Sequence, residues 1–544
     1  MALQGRPRPR RRRREGSGQT DEDPLTGAGP RSGSHRKGRW TRWWPLAATA
    51  AFVVLLAATG AIPTWPGLIH LVALPPLDQF TDLRLLLSRA SSWPVFLALL
   101  AVVTAVRVVL MAWLLGGLYA RNLRFAALFY AVAFGPVLVA AFADAAAYAV
   151  LYSRLFWPAV ALVGALVFTL GAVPWQGRPR LREAVALTWR RGLRVEVMLP
   201  YCAVVLALGA VADRIPGLTV PLVPVSAVAT GLTIAMMDRP ALRRPGAALT
   251  ALVAVLTAVS IVFVATRGYD EPEPGPPQPG SLLIVAGINS ASGRSVIHAT
   301  DVHRLGYRCE QVYYFSYAGP GNGQPQEDAT CPIRTGAPYG PTDTERPFRE
   351  QVDLFVEQAS ALPRPLVVAA HSHAVWVVWE AAATGRVDVD ALLLVGAFSS
   401  TPTGYPPPHV DEPGRVLGDL LRVAASSAGL IDFHFDPDSP AARDLLGTAG
   451  TAESILAQRL PQNVRAMSLP SAADLPLMTD HRLDVERNGC PARVAHPNLP
   501  ASAAFEDATI RFLNGRTPPP CPPWRDWGAV AFRPFGMPSG QALR

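Results

Sequence analysis

Residues 366–374 read LVVAAHSHA, an apolar run of strand length that ends in a serine flanked by two histidines. The residues after it, 374–383, continue with apolar side chains at helical spacing. A serine on a sharp turn between a buried strand and a helix has its hydroxyl exposed, which suits a nucleophile. The stretch therefore predicts a buried strand, a turn at Ser372 and a helix behind it.

Such a turn leaves room only for small side chains two residues before and two residues after the serine. Ala370 and Ala374 occupy these positions. A small-x-Ser-x-small string is common, however, and its ordinary interpretation is a serine that caps a helix N-terminus. The apolar strand before Ser372 and the apolar helix after it favour the nucleophile.

Runs of strand length recur on both sides of this stretch and alternate with helical patterns. Such alternation predicts an α/β domain with a mostly parallel sheet over residues 281–515. The predicted strands are 282–286, 311–315, 366–370, 391–396 and 464–468, and the predicted helices are 295–305, 347–361, 374–383 and 505–513. An irregular stretch, residues 401–462, is a candidate lid with helices predicted at 414–424 and 452–458.

Candidates for an acid and a base follow the serine along the chain. Asp474 ends the loop after the last predicted strand, and His496 precedes the last predicted helix. His496 would take the proton of the Ser372 hydroxyl, and Asp474 would orient the imidazole. The alternatives that stay open are Asp480 and Asp484 as the acid and His481 as the base.

Two backbone amides are candidates for stabilising an oxyanion. One belongs to His373, directly after the serine, and the other to Ile288, in the loop after the first predicted strand. Gly287 would allow that loop a close approach, although a plain strand-to-loop turn would also explain a glycine there. Asn289 and Ser290 offer additional side-chain donors.

With these residues, the C-terminal half resembles the α/β-hydrolase superfamily, particularly its lipases and esterases. It is similar to secreted or membrane-anchored hydrolases of actinobacterial type through FSYAG at 315–319 and PYGPTDT at 338–344. The resemblance covers residues 281–515 and implies an eight-stranded sheet and hydrolysis of esters, thioesters or amides without a cofactor. The chain departs from the family pattern where glycines usually flank the serine, and where a histidine usually precedes Gly287.

A metal site is the other interpretation of the HSH string. His371 and His373 are two residues apart and no third ligand lies near them in the sequence. Structural and catalytic zinc sites need three or four ligands, so this pattern is weak. No metal and no other cofactor is expected.

The first half of the chain has the composition of a membrane protein. Half of the 544 residues are hydrophobic and only 17% are charged, which is unusual for a soluble protein. Seven candidate spans form a predicted transmembrane domain over residues 44–266, and we recognise no family for it. Their limits are 44–62, 93–119, 125–151, 156–173, 197–212, 220–237 and 247–265.

The distribution of charge predicts the orientation of the spans. Of the net charge of +9, most lies in residues 1–43, a predicted disordered cytoplasmic tail, so nucleic acid is not an expected partner. The loops 121–124, 174–196 and 238–246 carry more Lys and Arg than the loops 63–92, 152–155 and 213–219. The positive-inside rule then places the first set in the cytoplasm, and an odd number of spans places the C-terminal half outside.

The cysteines favour the same side. Cys309, Cys331, Cys490 and Cys521 all lie in the C-terminal half, and an even number suits an oxidising compartment. Four cysteines allow three pairings, of which we favour Cys309–Cys331 and Cys490–Cys521 because each pair is nearest in sequence. A proline-rich linker, residues 267–280, precedes this half, and a proline-rich tail, residues 516–544, ends it.

Two charged residues, Arg107 and Asp144, fall inside predicted spans. Such residues are functional candidates by default, but the span limits place them at different depths, which argues against a pair. The sequence as a whole predicts an extracytoplasmic, multi-pass serine hydrolase that cleaves an acyl ester of a lipid or of the cell envelope. The alternatives are an acyltransferase with the same triad, an inactive hydrolase fold that serves as a binding or scaffold protein, and a transporter with an accessory domain.

Overall fold

The computed structural model describes residues 43–237, 269–428, 435–478, 480–522 and 525–536. The predicted disordered tail, apart from Trp43, and the predicted span 247–265 lie outside these residues. The described parts from Trp43 onward form one compact unit. Two parts are joined within it: a helical region, residues 43–237, and a sheet region, the described residues of 281–515.

The helical region confirms a membrane-type domain. Five stretches are long and apolar enough to cross a membrane: Trp93–Leu114, Ala120–Ala149, Ser153–Gln176, Val195–Arg214 and Pro216–Met237. The helices here are α1 (Trp44–Ala58), α2 (Leu77–Arg89), α3 (Trp93–Leu114), α4 (Ala120–Ala149), α5 (Ser153–Leu170), α6 (Leu181–Arg190), α7 (Val195–Arg214) and α8 (Thr219–Met237). Helix α1 has 15 residues, fewer than the roughly 17 that a span needs. Seven spans are therefore not confirmed.

The predicted outer loop 63–92 is instead a buried hairpin, which we call the re-entrant hairpin. Its residues 67–81 are all buried, and they form a 3-10 helix, a turn and the start of α2. Leu74 N donates to the hydroxyl of Tyr201 at 2.8 Å. Tyr201 lies in the interior of α7, six residues after its first residue and thirteen before its last. Its place between two predicted spans suggested an outer loop, but non-helical backbone is tolerated among membrane helices when protein surrounds it.

Both intramembrane charges pair with this hairpin. Arg107 Nε lies 2.6 Å from Asp82 Oδ2, and its Nη1 lies 3.6 Å from Asp78 Oδ2. Asp144 Oδ2 lies 3.1 Å from Arg84 Nε, and both side chains are fully buried. Arg107 and Asp144 thus have separate partners, in line with their different predicted depths.

The sheet region is a six-stranded, wholly parallel sheet within the described residues, which confirms the predicted α/β layering. Its strands are β1 (Ser281–Val285), β2 (Val312–Tyr314), β3 (Leu366–His371), β4 (Ala391–Val395), β5 (Arg465–Leu469) and β6 (Arg487–Asn488), in the order β2-β1-β3-β4-β5-β6. The first five match the predicted strands to within a few residues. The two-residue β6 was not predicted, and the eight strands that the resemblance implies are not all present in the described part.

Helices cover this sheet on both faces. The helices of this half of the chain are α9 (Phe348–Ser360), α10 (Ala374–Ala383), α11 (Arg415–Ala428), α12 (Pro440–Leu445), α13 (Thr451–Leu456), α14 (Ala503–Leu513) and α15 (Trp527–Phe532). The predicted helix 295–305 is only a 3-10 turn at Val296–Ala299. Helix α11 belongs to the candidate lid 401–462 but packs against α2, α3 and α4. Trp93 Nε1 donates to Asp419 Oδ2 at 2.9 Å in this contact, so a lid is not confirmed.

The linker and the tail both lie against folded structure. Gly275 N and Gln278 N donate to the carbonyls of Arg304 and Gly306, so the linker runs along the sheet region. The structure joins Cys309 to Cys331 and Cys490 to Cys521, as favoured above. Beyond Cys521, α15 packs against α7, and the tail links the two regions.

Candidate functional site

Ser372 lies on a strained turn at the carboxyl end of β3. Its backbone N–H donates to Val395 O of β4 at 2.9 Å. Its φ is +59°, a conformation that is uncommon outside glycine and that is often found at functional sites. Ala370 and Ala374 are both fully buried, so the turn accepts only small side chains there. The predicted strand, turn and helix are all present.

The topology of the sheet places this turn at a crevice. The chain passes from β1 to β2 on one side and then to β3 on the other side of β1. Neighbouring loops therefore diverge at the carboxyl ends of β1 and β3, and ligands of open α/β sheets bind at such a switch point. Ser372 follows β3 and Gly287 follows β1.

The loop after β1 approaches the serine closely. A Cβ on Gly287 would lie 2.9 Å from Ser372 Cβ and 3.0 Å from His371 O, so only glycine fits there without displacement. The amides of Ile288 and His373 donate to no acceptor among the described residues. Both remain available as oxyanion donors.

The other two predicted donors of this loop have different surroundings. Asn289 has a φ of +60°, and its backbone N–H donates to Thr344 Oγ1 at 3.0 Å. The hydroxyl of Ser290 is buried and lies 3.4 Å from the hydroxyl of Tyr339. Ser290 therefore has a protein partner, and the two main-chain amides are the better candidates.

Asp474 and His496 come together as a hydrogen-bonded pair. His496 Nδ1 lies 2.5 Å from Asp474 Oδ2, and the Asp474 side chain is fully buried. Asp474 follows β5, and His496 begins the 3-10 helix that follows β6. The alternative acids Asp480 and Asp484 are both exposed, and Asp480 Oδ1 accepts from the backbone N–H of Arg482. The geometry thus favours Asp474 over its neighbours.

The imidazole of His496 lies beside the serine turn. A Cβ on Gly396, the residue after β4, would lie 2.9 Å from His496 Cε1. The ring of Phe398 stacks on that of His496 with centroids 5.0 Å apart. No direct hydrogen bond joins Ser372 Oγ to the ring of His496, although both residues belong to the described part of the chain. Such bonds are often long in a free enzyme and shorten when substrate binds.

Gly396 and Phe398 are functional candidates that sequence reasoning missed. A glycine directly after an apolar strand was visible in the sequence, and its φ of +63° fits the tight turn beside the imidazole. Phe398 carries no motif. Only its contact with His496 identifies it.

The two histidines beside the serine have separate partners. His371 Nε2 lies 3.1 Å from His496 O, and His373 Nε2 lies 2.9 Å from Gln351 Oε1. Burial lowers the pKa of His373 to about 3. Burial and, to a lesser degree, the charge of His496 lower the pKa of His371 well below its usual value. Both rings are therefore neutral near pH 7 and help to form the wall of the site.

We compared the chain with family models, with curated proteins and with solved structures, and none of them matches it. The proposals below therefore rest on the geometry of this chain alone.

Proposed function

We propose that this chain is a membrane-anchored serine hydrolase of the α/β-hydrolase type that cleaves acyl esters. The observation that carries the proposal is the position of Ser372. It has a positive φ on a strand-to-helix turn at the switch point of a parallel sheet. The hydrogen-bonded Asp474–His496 pair beside this turn supplies the base and its orienting acid.

The reaction follows from these roles. Ser372 Oγ attacks the carbonyl carbon of the ester while His496 takes the hydroxyl proton. The Ile288 and His373 amides would stabilise the oxyanion, and Asp474 would stabilise the charged imidazole. His496 then protonates the departing alcohol. Water attacks the acyl-enzyme, passes a proton to His496, and releases the acid and the free serine.

The membrane orientation is part of the proposal. The sheet region contacts Trp93, Tyr148 and Trp157, and the tail contacts Arg214; these four residues lie near one end of the helix bundle. The arginine-rich stretch 174–196 connects helices at the opposite end. The positive-inside rule would put that stretch in the cytoplasm and the sheet region outside, where disulfides persist.

The orientation of the sheet supports a substrate that is associated with the membrane. The elements that follow β4 and β5 at the carboxyl edge, α11 and the loop around Asp474, are the ones that contact helices α2 to α5. The edge that carries Ser372 therefore faces the helical region. A lipid or cell-envelope ester could reach this edge without leaving the membrane surface.

A fluorophosphonate probe tests the nucleophile directly, because it reacts covalently with activated serines. Membranes that contain the wild-type chain should be labelled, and membranes that contain Ser372→Ala should not. Ser454→Ala is the matched control, since Ser454 is exposed and its hydroxyl donates to Thr451 O within its own helix. Equal labelling of wild type and Ser372→Ala would refute the proposal.

A further inference from the structure

The loop that carries Asp474 is contacted by side chains from outside the sheet region. Trp157 Nε1 of α5 donates to Ala473 O at 3.0 Å. The hydroxyl of Tyr148, near the end of α4, donates to Pro476 O at 2.5 Å. Ala473, directly before Asp474, and Pro476, two residues after it, thus accept hydrogen bonds from two neighbouring helices of the helical region.

The two carbonyls of this loop receive their hydrogen bonds from outside the sheet region. In the described part of the chain, Ala473 O and Pro476 O accept no hydrogen bond from the sheet region. Asp474 Oδ1 also has no hydrogen-bond partner there. Within the loop, Asp474 N donates to Ser471 O and Ala473 N donates to Ser471 Oγ, which shapes the turn. Trp157 and Tyr148 add the hydrogen bonds that fix this turn against the helices.

The two donors are held in a rigid aromatic cluster. Phe156 lies between them, with its ring 5.3 Å from that of Trp157 and 6.0 Å from that of Tyr148. Trp157 also packs edge-on against Phe532 of the tail, at 5.3 Å. A third donor, Arg533 of the same tail, bonds Leu475 O and is paired with Asp213 at the end of α7.

We infer that the helical region is a working part of the hydrolase, in which Tyr148 and Trp157 are positioning residues that hold Asp474 against His496. This inference rests on the proposed function. It gives the helices a role that a single membrane anchor could not fulfil, because a plain tether would leave the loop carbonyls without these donors. Small displacements of catalytic groups lower turnover strongly, so the contact has a measurable effect.

The test uses the full chain in lipid nanodiscs and p-nitrophenyl butyrate, a soluble short-chain ester. Tyr148→Phe and Trp157→Phe each remove one donor and keep the ring, and the double variant removes both. We expect the double variant to lower kcat about 10- to 100-fold with little change in KM. Tyr119→Phe and Trp189→Phe are the matched controls, because both side chains are exposed at the opposite end of the bundle, and they should retain wild-type kcat.

A double-mutant cycle separates positioning from general destabilisation. In an Asp474→Asn background the acid is already absent, so the two phenylalanine variants should have no further effect on kcat. Hydrogen exchange gives a readout that needs no activity. The amides of 471–478 should exchange faster in the double variant, while those of β1 to β4 stay protected.

The outcomes are distinguishable. Unchanged exchange at 471–478, or an undiminished kcat in the double variant when Ser372→Ala is inactive and Asp474→Asn has a strongly lowered but measurable kcat, would overturn the inference alone. An equal loss of kcat in the wild-type and Asp474→Asn backgrounds would also overturn it. If Ser372→Ala keeps full activity, the proposed function fails, and exchange alone decides whether the helices hold the loop.

Discussion

The two regions of this chain place their charged groups in contrasting ways. In the sheet region, Asp474 and His496 lie at strand ends, where a crevice opens at the carboxyl edge. In the helical region, Arg84 of the re-entrant hairpin pairs with Asp144 of α4, and Arg107 of α3 pairs with Asp82 of the hairpin, all with little exposure to solvent. Polar groups at strand ends are therefore available for chemistry, whereas those on the hairpin are committed to holding the helices together.

The contrast predicts that substitutions in the two regions fail in different ways. A change at the site should remove activity and leave the fold intact. A substitution in the buried ion pairs of the re-entrant hairpin should prevent the chain from folding. The predictions that follow test this difference.

The largest effect is expected for Asp474→Asn. Removal of the carboxylate leaves the imidazole without its orienting acid, and such a change lowers turnover about 10⁴-fold in related triads. Hydrolysis of p-nitrophenyl butyrate by the full chain measures it, and thermal unfolding in nanodiscs should stay close to wild type. Asp480→Asn is the control and should retain turnover. An equal loss of turnover in both variants would contradict the assignment of Asp474, rather than Asp480, as the orienting acid.

The next effect is expected for Arg107→Met in the helical region. The substitution would leave Asp82 and Asp78 buried without their cation. Breaking a buried pair in this way costs about 3–5 kcal/mol, so we expect a much smaller yield of monodisperse protein in fluorescence-detected size exclusion. Arg511→Met removes an exposed pair with Asp507 and should cost less than about 1 kcal/mol. Equal yields of both variants would contradict the structural role of Arg107.

Much of the sheet region could be predicted from the sequence. Parallel strands that are buried on both faces are apolar throughout, so five of them stood out, and β6 escaped because two residues carry no pattern. The chain order of serine, acid and histidine pointed to Ser372, Asp474 and His496, and the structure joins the last two. The packing of Phe398 on the imidazole could not be predicted, because nothing in the sequence specifies it.

The helical region was harder to predict for a physical reason. Hydropathy finds long apolar helices, but it reads a polar segment as solvent-exposed even when its partners are inside the protein. The stretch 63–92 was predicted to be an outer loop because it lies between two predicted spans, and it contains Asp78, Asp82 and Arg84. Their partners on α3 and α4 are far away in sequence, and no local pattern reveals them. The contacts of Tyr148 and Trp157 with the acid loop were hidden for the same reason.

The smallest effect is expected for Gly287→Ala, which tests how closely the sheet region is packed around its site. The new Cβ would meet Ser372 Cβ at 2.9 Å and His371 O at 3.0 Å. Over-packing of this kind costs about 1–3 kcal/mol, and it would also push the Ile288 amide away from the serine. Thermal unfolding and kcat should therefore both fall.

Gly340→Ala is the matched control for this substitution, because nothing lies within 4 Å of a Cβ there and its φ is −116°. It should unfold and turn over like the wild type. If Gly287→Ala behaved in the same way, the loop after β1 would be free to move. The Ile288 amide would then have no fixed position from which to stabilise an oxyanion, and the site would have to rely on His373 alone.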